Sequence, residues 1–284
     1  GTVTGVQTCA LPILLTGRKG QRLGHSQLYD HMFYDGLEDA YTGAAMGTFA
    51  QKTADEHGLT REEMDAFAIE SLSRAQRAID QGLNHQEIAP VTIRTKRGEH
   101  CVSVDEQPYK ANLEKIPQLR PAFAQDGTIT PANSSSISDG ASALLLASEA
   151  AAASHGLTPR ARIIAHTRHS LAPESFTLAP IGAVEKLLAK TGWSVSDVDL
   201  WEVNEAFAMV TMLTMRALDL NPACVNVHGG ACAQGHPIGS TGSRIIVTLM
   251  HALEHYGKKR GIADRKSTRL NFSHSSVSRM PSSA

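Results

Sequence analysis

The feature that most constrains the fold is a glycine-rich segment in the last quarter of the sequence. It covers residues 228–242 and contains five glycines, with a short apolar run at 225–227 before it and an apolar helical pattern at 243–256 after it. Glycine lets the backbone approach a ligand closely or take a positive φ. Backbone N–H groups in a strand-to-helix loop can also receive an anion or an oxyanion. The pattern therefore predicts a strand, a ligand-facing loop and a helix.

The segment before this loop alternates between strand and helix patterns. Residues 162–165 and 199–203 are short apolar runs typical of strands, and residues 180–190 have helical spacing followed by Gly192. A glycine after a helical run commonly ends the helix. Strands that alternate with helices favour a parallel sheet with crossover connections, and hence an α/β fold.

Two more helices and one buried strand are predicted earlier in the sequence. Thr60 and Glu63 have the spacing of a capping box, and the helical pattern that follows them ends at Gly82. The apolar run at 141–147 fits a buried strand, and residues 148–155 fit a helix. These elements extend the α/β pattern over most of the chain.

Two other segments are expected at the surface. Residues 91–96 and 100–104 flank an Arg-Gly pair and predict a β-hairpin. Val91 and Ile93 alternate with polar residues in it, so one face is exposed or contacts another subunit. The segment 264–284 is rich in serine and basic residues without an apolar period, which predicts a disordered or poorly packed tail.

The composition excludes several functional classes. The chain has 284 residues, 27 basic against 28 acidic residues, and 42% hydrophobic residues. It therefore has the apolar content for a core but lacks the basic surplus of a general nucleic-acid binder. Its four cysteines show neither CxxC pairing nor zinc spacing, and no apolar run is long enough to cross a membrane. We expect a soluble cytoplasmic protein without a bound metal.

Two polar residues stand where an α/β sheet places its ligand sites. His236, next to Pro237 in the glycine-rich segment, is suited to act as a general base, although a structural turn with an incidental histidine also fits. Asn204 directly follows the strand at 199–203 and can hold a water or a carbonyl oxygen, or else cap a turn or helix. Both follow the ends of predicted strands, which favours one shared site.

Several motifs in the same order resemble the thiolase family, of the acetyl-CoA acetyltransferase (acetoacetyl-CoA thiolase) type. The similarity covers about Leu14 to Ala263. Its most specific parts are Asn-Glu-Ala-Phe-Ala at 204–208 and the glycine-rich motif at 229–242. The others lie at 35–40, 46–48, 119–123 and 133–141.

The resemblance implies the thiolase fold: a layered αβαβα arrangement of two similar α/β halves with an inserted loop domain, here incomplete. It assigns 1–13 to a non-family segment and 14–138 to the loop domain. Residues 139–158 become the last elements of the N-terminal half, 159–263 the C-terminal half and 264–284 a non-family tail. Family members are commonly dimers or tetramers, which implies a homo-oligomer for the full-length parent.

The resemblance also implies acyl transfer on thioesters of coenzyme A (CoA). A cysteine thiolate attacks a 3-oxoacyl-CoA, acetyl-CoA leaves, and a second CoA takes the acyl group; in reverse, two acetyl-CoA molecules condense to acetoacetyl-CoA. Acetyl-CoA, acyl-CoA and CoA are then substrates, and no cofactor is implied.

Site residues carry over from the family by position. His236 matches the residue that activates the thiol and contributes to an oxyanion hole, and Asn204 matches the residue that holds a water. Glu205 is expected to orient these two or to be a structural carboxylate, and Gly235 and Gly239 belong to the oxyanion loop. The positions that line the pantetheine and CoA site are Leu37, Met46, Phe123, Ser135 and Phe207, of which the four apolar ones also fit ordinary packing.

The cysteines depart from the family pattern. The family's nucleophile precedes the position of Leu14, and the segment around Cys9 does not resemble it. Lys266 stands where a second catalytic cysteine is expected, and Cys224 and Cys232 fit small buried residues. We therefore expect this chain to be inactive or nearly so. The alternatives are a 3-ketoacyl-CoA thiolase of fatty-acid degradation and a non-catalytic CoA-binding module.

Overall fold

The computed structural model describes residues 13–15, 23, 25, 27–264 and 277–279, with the backbone alone for 13–15 and 277–279. Predictions for the remaining residues, including Cys9, Lys266 and most of the tail, lie outside this part of the chain. The strands are β1 Ile13–Leu15, β2 Leu28–Asp30, β3 Val91–Thr95, β4 Gly98–Val102, β5 Ala161–Arg162, β6 Leu200–Val203, β7 Arg260–Asp264 and β8 Val277–Arg279. The α-helices are α1 Met46–Glu56, α2 Arg61–Asp80, α3 Glu149–Ser154, α4 Ala179–Thr191, α5 Ala208–Leu218, α6 Ala231–Gln234 and α7 Thr241–His255. Short 3₁₀ and π turns connect them, at Phe33–Leu37, Gln107–Tyr109, Leu113–Gln118, Pro173–Leu178, Val195–Asp197 and Pro222–Cys224.

The predicted capping box begins α2. The Thr60 hydroxyl accepts a hydrogen bond from the Glu63 N–H at 3.1 Å, and the Glu63 carboxylate accepts one from the Thr60 N–H at 2.9 Å. Two backbone donors that the first turn leaves without helical partners are thereby satisfied. Gly82 follows the helix with φ +68°, a conformation that glycine adopts without the Cβ penalty.

The predicted hairpin is also confirmed. β3 and β4 pair antiparallel with Val91 opposite Val102 and Ile93 opposite His100. Val91 is 59% exposed and Ile93 is 47% exposed, so the apolar face of the ribbon is uncovered. The hairpin therefore projects from the body of the protein.

The main sheet has four strands in the order β5-β8-β7-β6. The expected parallel pairing occurs between β6 and β7, a strand that the sequence did not predict, whereas β8 is antiparallel to both β7 and β5. The strand predicted at 162–165 is confined to Ala161–Arg162. Two parts of the segment predicted to be a disordered tail are ordered instead: Asp264 ends β7 and is fully buried, and β8 pairs with β5 and β7.

Two predicted strands do not form. At 225–227 there is only an isolated bridge between Val225 and Trp201, because Asn226 takes a φ of +47° and bonds the backbone of Val203 with its side chain. The apolar run at 141–147 has no strand beside it among the described residues, and a strand needs a hydrogen-bonded neighbour. Its Leu145 and Leu146 are 83% and 71% exposed.

Helices cover both faces of the β6–β7 pair. Trp201, Val203 and Ile262 pack on the side of α4, whereas Leu200 and Ala263 pack against α7. Successive strand residues point to opposite faces, so this alternation produces a layer of helix, sheet and helix. A third cluster, formed by α1, α2 and α5, lies beside the carboxyl end of β6. Within the described ranges, no helix has both the length and the apolar character that a bilayer crossing requires.

Candidate active site

Asn204 lies at the carboxyl end of β6, as the sequence predicted. Its N–H donates to the Asp264 carbonyl at 3.0 Å, which continues the ladder between β6 and β7 by one residue. The residue is 2% exposed. The pairing fixes its backbone, so the side-chain amide is held at the edge of the sheet where open α/β folds place ligands.

The glycine-rich segment brings His236 to the same edge. The Nε2 atom of His236 lies 3.5 Å from the Asn204 Nδ2, and its Nδ1 lies 2.8 Å from the Thr241 Oγ1. The Thr241 hydroxyl donates to the Pro237 carbonyl at 3.0 Å, so toward His236 its oxygen acts as an acceptor. Nδ1 therefore carries the imidazole proton, and Nε2 presents its lone pair toward the Asn204 amide. A neutral imidazole in this tautomer can accept a proton at Nε2.

Glu205 faces the base of the loop instead of the histidine. Its carboxylate accepts hydrogen bonds from the Ser71 Oγ and the Asn226 Nδ2, both at 2.7 Å, and from the Cys232 N–H at 3.0 Å. The Ser71 Oγ in turn accepts from the Gly230 N–H at 2.9 Å. Burial raises the pKa of the Glu205 carboxyl, and the hydrogen bonds from Asn226 and Ser71 oppose that rise. Of the two roles expected for Glu205, these contacts favour the structural one.

At two positions of the loop, neighbouring atoms leave room only for glycine. A Cβ at Gly230 would lie 2.2 Å from the Glu205 Cδ, and one at Gly235 would lie 1.9 Å from the Ser138 Oγ. Gly235 also has a φ of +85°. The next residue, His236, donates its N–H to the Ser136 carbonyl at 3.1 Å. The serine-rich segment at 134–138 therefore fixes the backbone of His236, while the hydroxyl of Thr241 fixes the orientation of its ring.

His236 lines a small cleft of about 60 Å³, which we call the histidine cleft. Two residues predicted to line the CoA site, Leu37 and Ser135, lie in its wall. Gly239 lies further along the loop and is half-buried. The remaining lining residues of the histidine cleft are Met32, Ser136, Ile137 and Ile238.

The other three predicted CoA-binding residues lie in the packed cluster next to this cleft. The rings of Phe123 and Phe207 meet edge to face with centroids 6.1 Å apart, and Met46 packs against the same cluster. Ser135 links the two places, because its N–H and its hydroxyl both donate to the Ala206 carbonyl at 3.0 Å. The structure thus divides the predicted CoA set into cleft residues and packing residues.

Sequence reasoning missed the residues that hold the site from a distance. Ser71 lies on α2, far from the loop in sequence, and nothing in its helical pattern marks a contact with Glu205. Thr241 lies within the recognised motif, and its position five residues after His236 could have predicted that the two side chains meet. Asn226 was interpreted as part of a strand, although asparagine is among the residues that tolerate positive φ.

The cysteines of the described part do not stand beside His236. Cys232 points its Sγ toward the Glu205 carbonyl at 3.8 Å, and burial together with the Glu205 charge raises the pKa of its thiol. Cys224 packs beside the core of the sheet, and Cys101 is exposed on the hairpin. Cys224 and Cys232, expected to be small buried residues, are both half-buried. No group of three or more potential metal ligands occurs among the described side chains.

The fold is a layered α/β arrangement, and its site places a histidine beside an asparagine at the end of β6. This combination is typical of a protein that binds a ligand at the edge of a sheet. Comparison with known families identifies it further. The family model of the thiolase N-terminal domain matches residues 8–150, and that of the thiolase C-terminal domain matches residues 157–266. The chain belongs to the thiolase family. The resemblance and the layered α/β fold predicted from the sequence are thereby confirmed.

Individual relatives agree with the family. The chain is 45% identical over 247 residues to a probable acetyl-CoA acetyltransferase of Dictyostelium discoideum, covering 87% of this chain and 60% of the relative. It is 42% identical over 255 residues to a cytosolic acetyl-CoA acetyltransferase of Mus musculus, covering 89% and 64%. The chain thus spans less than two thirds of the length of these curated relatives.

Solved structures give the same result. A thiolase from Ascaris suum in complex with coenzyme A superposes with a TM-score of 0.86 at 36% identity, covering 97% of this chain and 70% of that one. Human mitochondrial 3-ketoacyl-CoA thiolase superposes with a TM-score of 0.86 at 34% identity, covering 95% and 69%.

Proposed function

We propose that this chain binds CoA thioesters at the histidine cleft and carries the histidine–asparagine part of an acyl-transfer site. The single observation that carries the proposal is the placement of the His236 Nε2 3.5 Å from the Asn204 Nδ2 at the end of β6. An imidazole that is unprotonated at Nε2 can take a proton from a thiol. An amide donor beside it can hold a water or polarise a thioester oxygen. Acetyl-CoA acetyltransferases among the relatives support acetyl-CoA and acetoacetyl-CoA as the substrates.

Acyl transfer of this type needs a thiolate that attacks the thioester carbon and releases CoA as the leaving thiol. The described cysteines are unsuited to this step. The Cys232 thiol is turned toward a backbone carbonyl and has a raised pKa, which disfavours the thiolate. We therefore propose that the chain binds acetyl-CoA without becoming acylated and without turning it over.

The test combines intact-mass spectrometry with a thiolysis assay on the purified chain. After incubation with acetyl-CoA we expect no acetyl adduct, and with acetoacetyl-CoA and CoA we expect no release of acetyl-CoA. A His236→Ala variant is the matched control. Turnover that disappears in this variant would contradict the proposed inactivity while supporting the acyl-transfer site. Failure of the unmodified chain to bind acetyl-CoA would contradict the binding function itself.

One observation favours a second substrate class, 3-oxoacyl-CoA thioesters with longer acyl chains. Human mitochondrial 3-ketoacyl-CoA thiolase superposes as well as the Ascaris suum thiolase does. A preference for longer 3-oxoacyl chains would appear as affinity that rises with acyl length. For acetyl-CoA acetyltransferase specificity we expect the affinity to be highest for the shortest chains.

The proposal has consequences for assembly and location. The uncovered apolar face of the β3–β4 hairpin supports a homo-oligomer, as expected for a dimeric or tetrameric parent. The cytosolic relative of Mus musculus supports a cytoplasmic location. Sedimentation of the purified chain and of its Ile93→Lys variant tests whether the hairpin face forms the homo-oligomer.

A further inference from the structure

A second and larger cleft lies away from the histidine cleft and shares no lining residue with it. It measures about 410 Å³, within the range of small-molecule sites. We call it the basic cleft and define it by Arg74, Arg77, Leu200, Val227, Tyr256 and Lys258. Its walls therefore come from α2, the start of β6, the segment before the glycine-rich loop and the residues that follow α7.

The carboxylates in this cleft are already engaged. Glu70 pairs with the Arg74 Nε at 2.6 Å, and Arg74 also donates to the Val225 carbonyl at 2.6 Å. The Asp199 carboxylate accepts the N–H groups of Lys259 and Arg260 at 3.0 and 2.9 Å. The charge of Glu70 is therefore paired with Arg74, whereas Asp199 holds the backbone at 259–260 and keeps its negative charge.

Two cations of the cleft remain without a partner. Arg77 and Lys258 make no ion pair and no side-chain hydrogen bond with any other residue in the described part of the chain. Leu200, Val227 and the ring of Tyr256 supply apolar surface beside them. The cleft thus offers two cations that make no ion pair, next to an apolar wall, and its lining of three cations and two carboxylates keeps a net positive charge.

A buried histidine lies next to the aromatic wall of the cleft. His228 is 2% exposed, and neither of its ring nitrogens has a hydrogen-bond partner. Its ring lies 5.7 Å from the ring of Tyr256, which in turn lies 4.7 Å from that of His255. Burial, and after it the charges of His255, Arg77 and His251, lowers the pKa of His228 to about 4. The buried imidazole is therefore neutral near pH 7, and the positive charge beside it is that of the Arg77 side chain.

We propose that the basic cleft binds a phosphate group carried on a small aromatic or apolar body. Arg77 and Lys258 hold the phosphate, because charge-assisted hydrogen bonds to phosphate oxygens are the strongest polar contacts such side chains make. The wall of Leu200, Val227 and Tyr256 holds the body. This site is independent of the thioester function proposed for the histidine cleft.

The test is calorimetric titration of the full chain with phenyl phosphate and with inorganic phosphate. We expect phenyl phosphate to bind more tightly, and Arg77→Gln or Lys258→Gln to weaken it roughly tenfold each, as loss of a charged hydrogen bond implies. Arg94→Gln is the matched control, because Arg94 is an exposed arginine of the hairpin paired with Glu99. Its affinity should equal that of the unmodified chain.

Three results would overturn the proposal. The first is absence of phenyl phosphate binding by the unmodified chain. The second is equal weakening by Arg94→Gln and Arg77→Gln, which would show a non-specific charge effect. The third is loss of binding in His236→Ala, which would place the phosphate in the histidine cleft. Thermal unfolding of each variant verifies that the fold is retained, so that loss of binding reports on the cleft.

Discussion

Adding a single methyl group at Gly230 tests whether the buried Glu205 network positions the glycine-rich loop. Gly230 has φ −136° and ψ −160°, an extended conformation that alanine adopts without strain. By backbone entropy alone, Gly230→Ala would stabilise the fold by about 0.4–1 kcal/mol. The new Cβ would, however, lie 2.2, 2.3 and 2.5 Å from the Cδ, Oε1 and Oε2 atoms of Glu205. The Glu205 carboxylate must therefore move to make room for the new methyl group.

The magnitude follows from what the carboxylate holds. Glu205 accepts three hydrogen bonds, from Ser71, Asn226 and Cys232, and moving away by an ångström stretches at least one of them beyond bonding distance. A lost hydrogen bond to a charged group costs about 1.5–3 kcal/mol. Overpacking a filled interior costs about 1–3 kcal/mol more. We expect Gly230→Ala to lower the free energy of unfolding by roughly 3–5 kcal/mol.

The assay is urea unfolding followed by circular dichroism. The matched control is Gly58→Ala, where φ is +61° and a Cβ would meet no atom within 4 Å. That variant carries only the left-handed backbone penalty of about 1–2 kcal/mol. In a Glu205→Ala background the cost of Gly230→Ala should nearly vanish, because the overlapping partner is gone. Equal costs for the two glycine variants, or the same cost with and without Glu205, would refute the reasoning.

Three further outcomes are expected. The pKa of His228 is about 4 in the folded chain and near 6.5 in the unfolded chain. Its contribution to stability is therefore fully present above pH 6.5 and is lost as the pH falls toward 4. Between about pH 7 and pH 5, the free energy of unfolding should drop by about 2 kcal/mol more in the unmodified chain than in His228→Gln. An equal drop would contradict the assignment. Nitrogen NMR should find the His236 proton on Nδ1 and a mixture of tautomers in Thr241→Val, whereas an Nε2 proton in the unmodified chain would contradict the derived geometry. Ellman's reagent should modify Cys101 much faster than Cys232, and comparable rates would show that the latter thiol is accessible.

Features that depend on residues close together in the sequence were predicted correctly. The Thr60–Glu63 capping box and the end of α2 depend on residues a few positions apart, and so does the β3–β4 hairpin. The neighbourhood of His236 and Asn204 was also predicted from the sequence, although only Asn204 follows a strand that pairs in parallel, and the segment before the histidine loop makes one parallel bridge, between Val225 and Trp201. Parallel pairing brings such strand ends to one edge of a sheet.

Contacts between distant residues were beyond local reasoning. Ser71 meets Glu205 only because α2 packs across the glycine-rich loop, and no spacing in the sequence encodes that packing. The run at 141–147 shows the converse: its apolar pattern fits a strand, but strand formation depends on a neighbour that the described residues do not provide. Asn226 replaces a strand ladder with side-chain hydrogen bonds, which a hydrophobic pattern does not reveal.

The most direct test of the central claim is the affinity of the chain for acetyl-CoA, measured by calorimetry with one change in the histidine cleft. Leu37→Glu places a carboxylate in the wall beside His236, where it repels and excludes an anionic thioester. Leu157→Glu places the same charge at a leucine that is 41% exposed and outside that wall. A thioester site predicts binding by the unmodified chain, loss of at least roughly tenfold in Leu37→Glu, and little change in Leu157→Glu. Equal affinities for the two variants, or no binding by the unmodified chain, would contradict it.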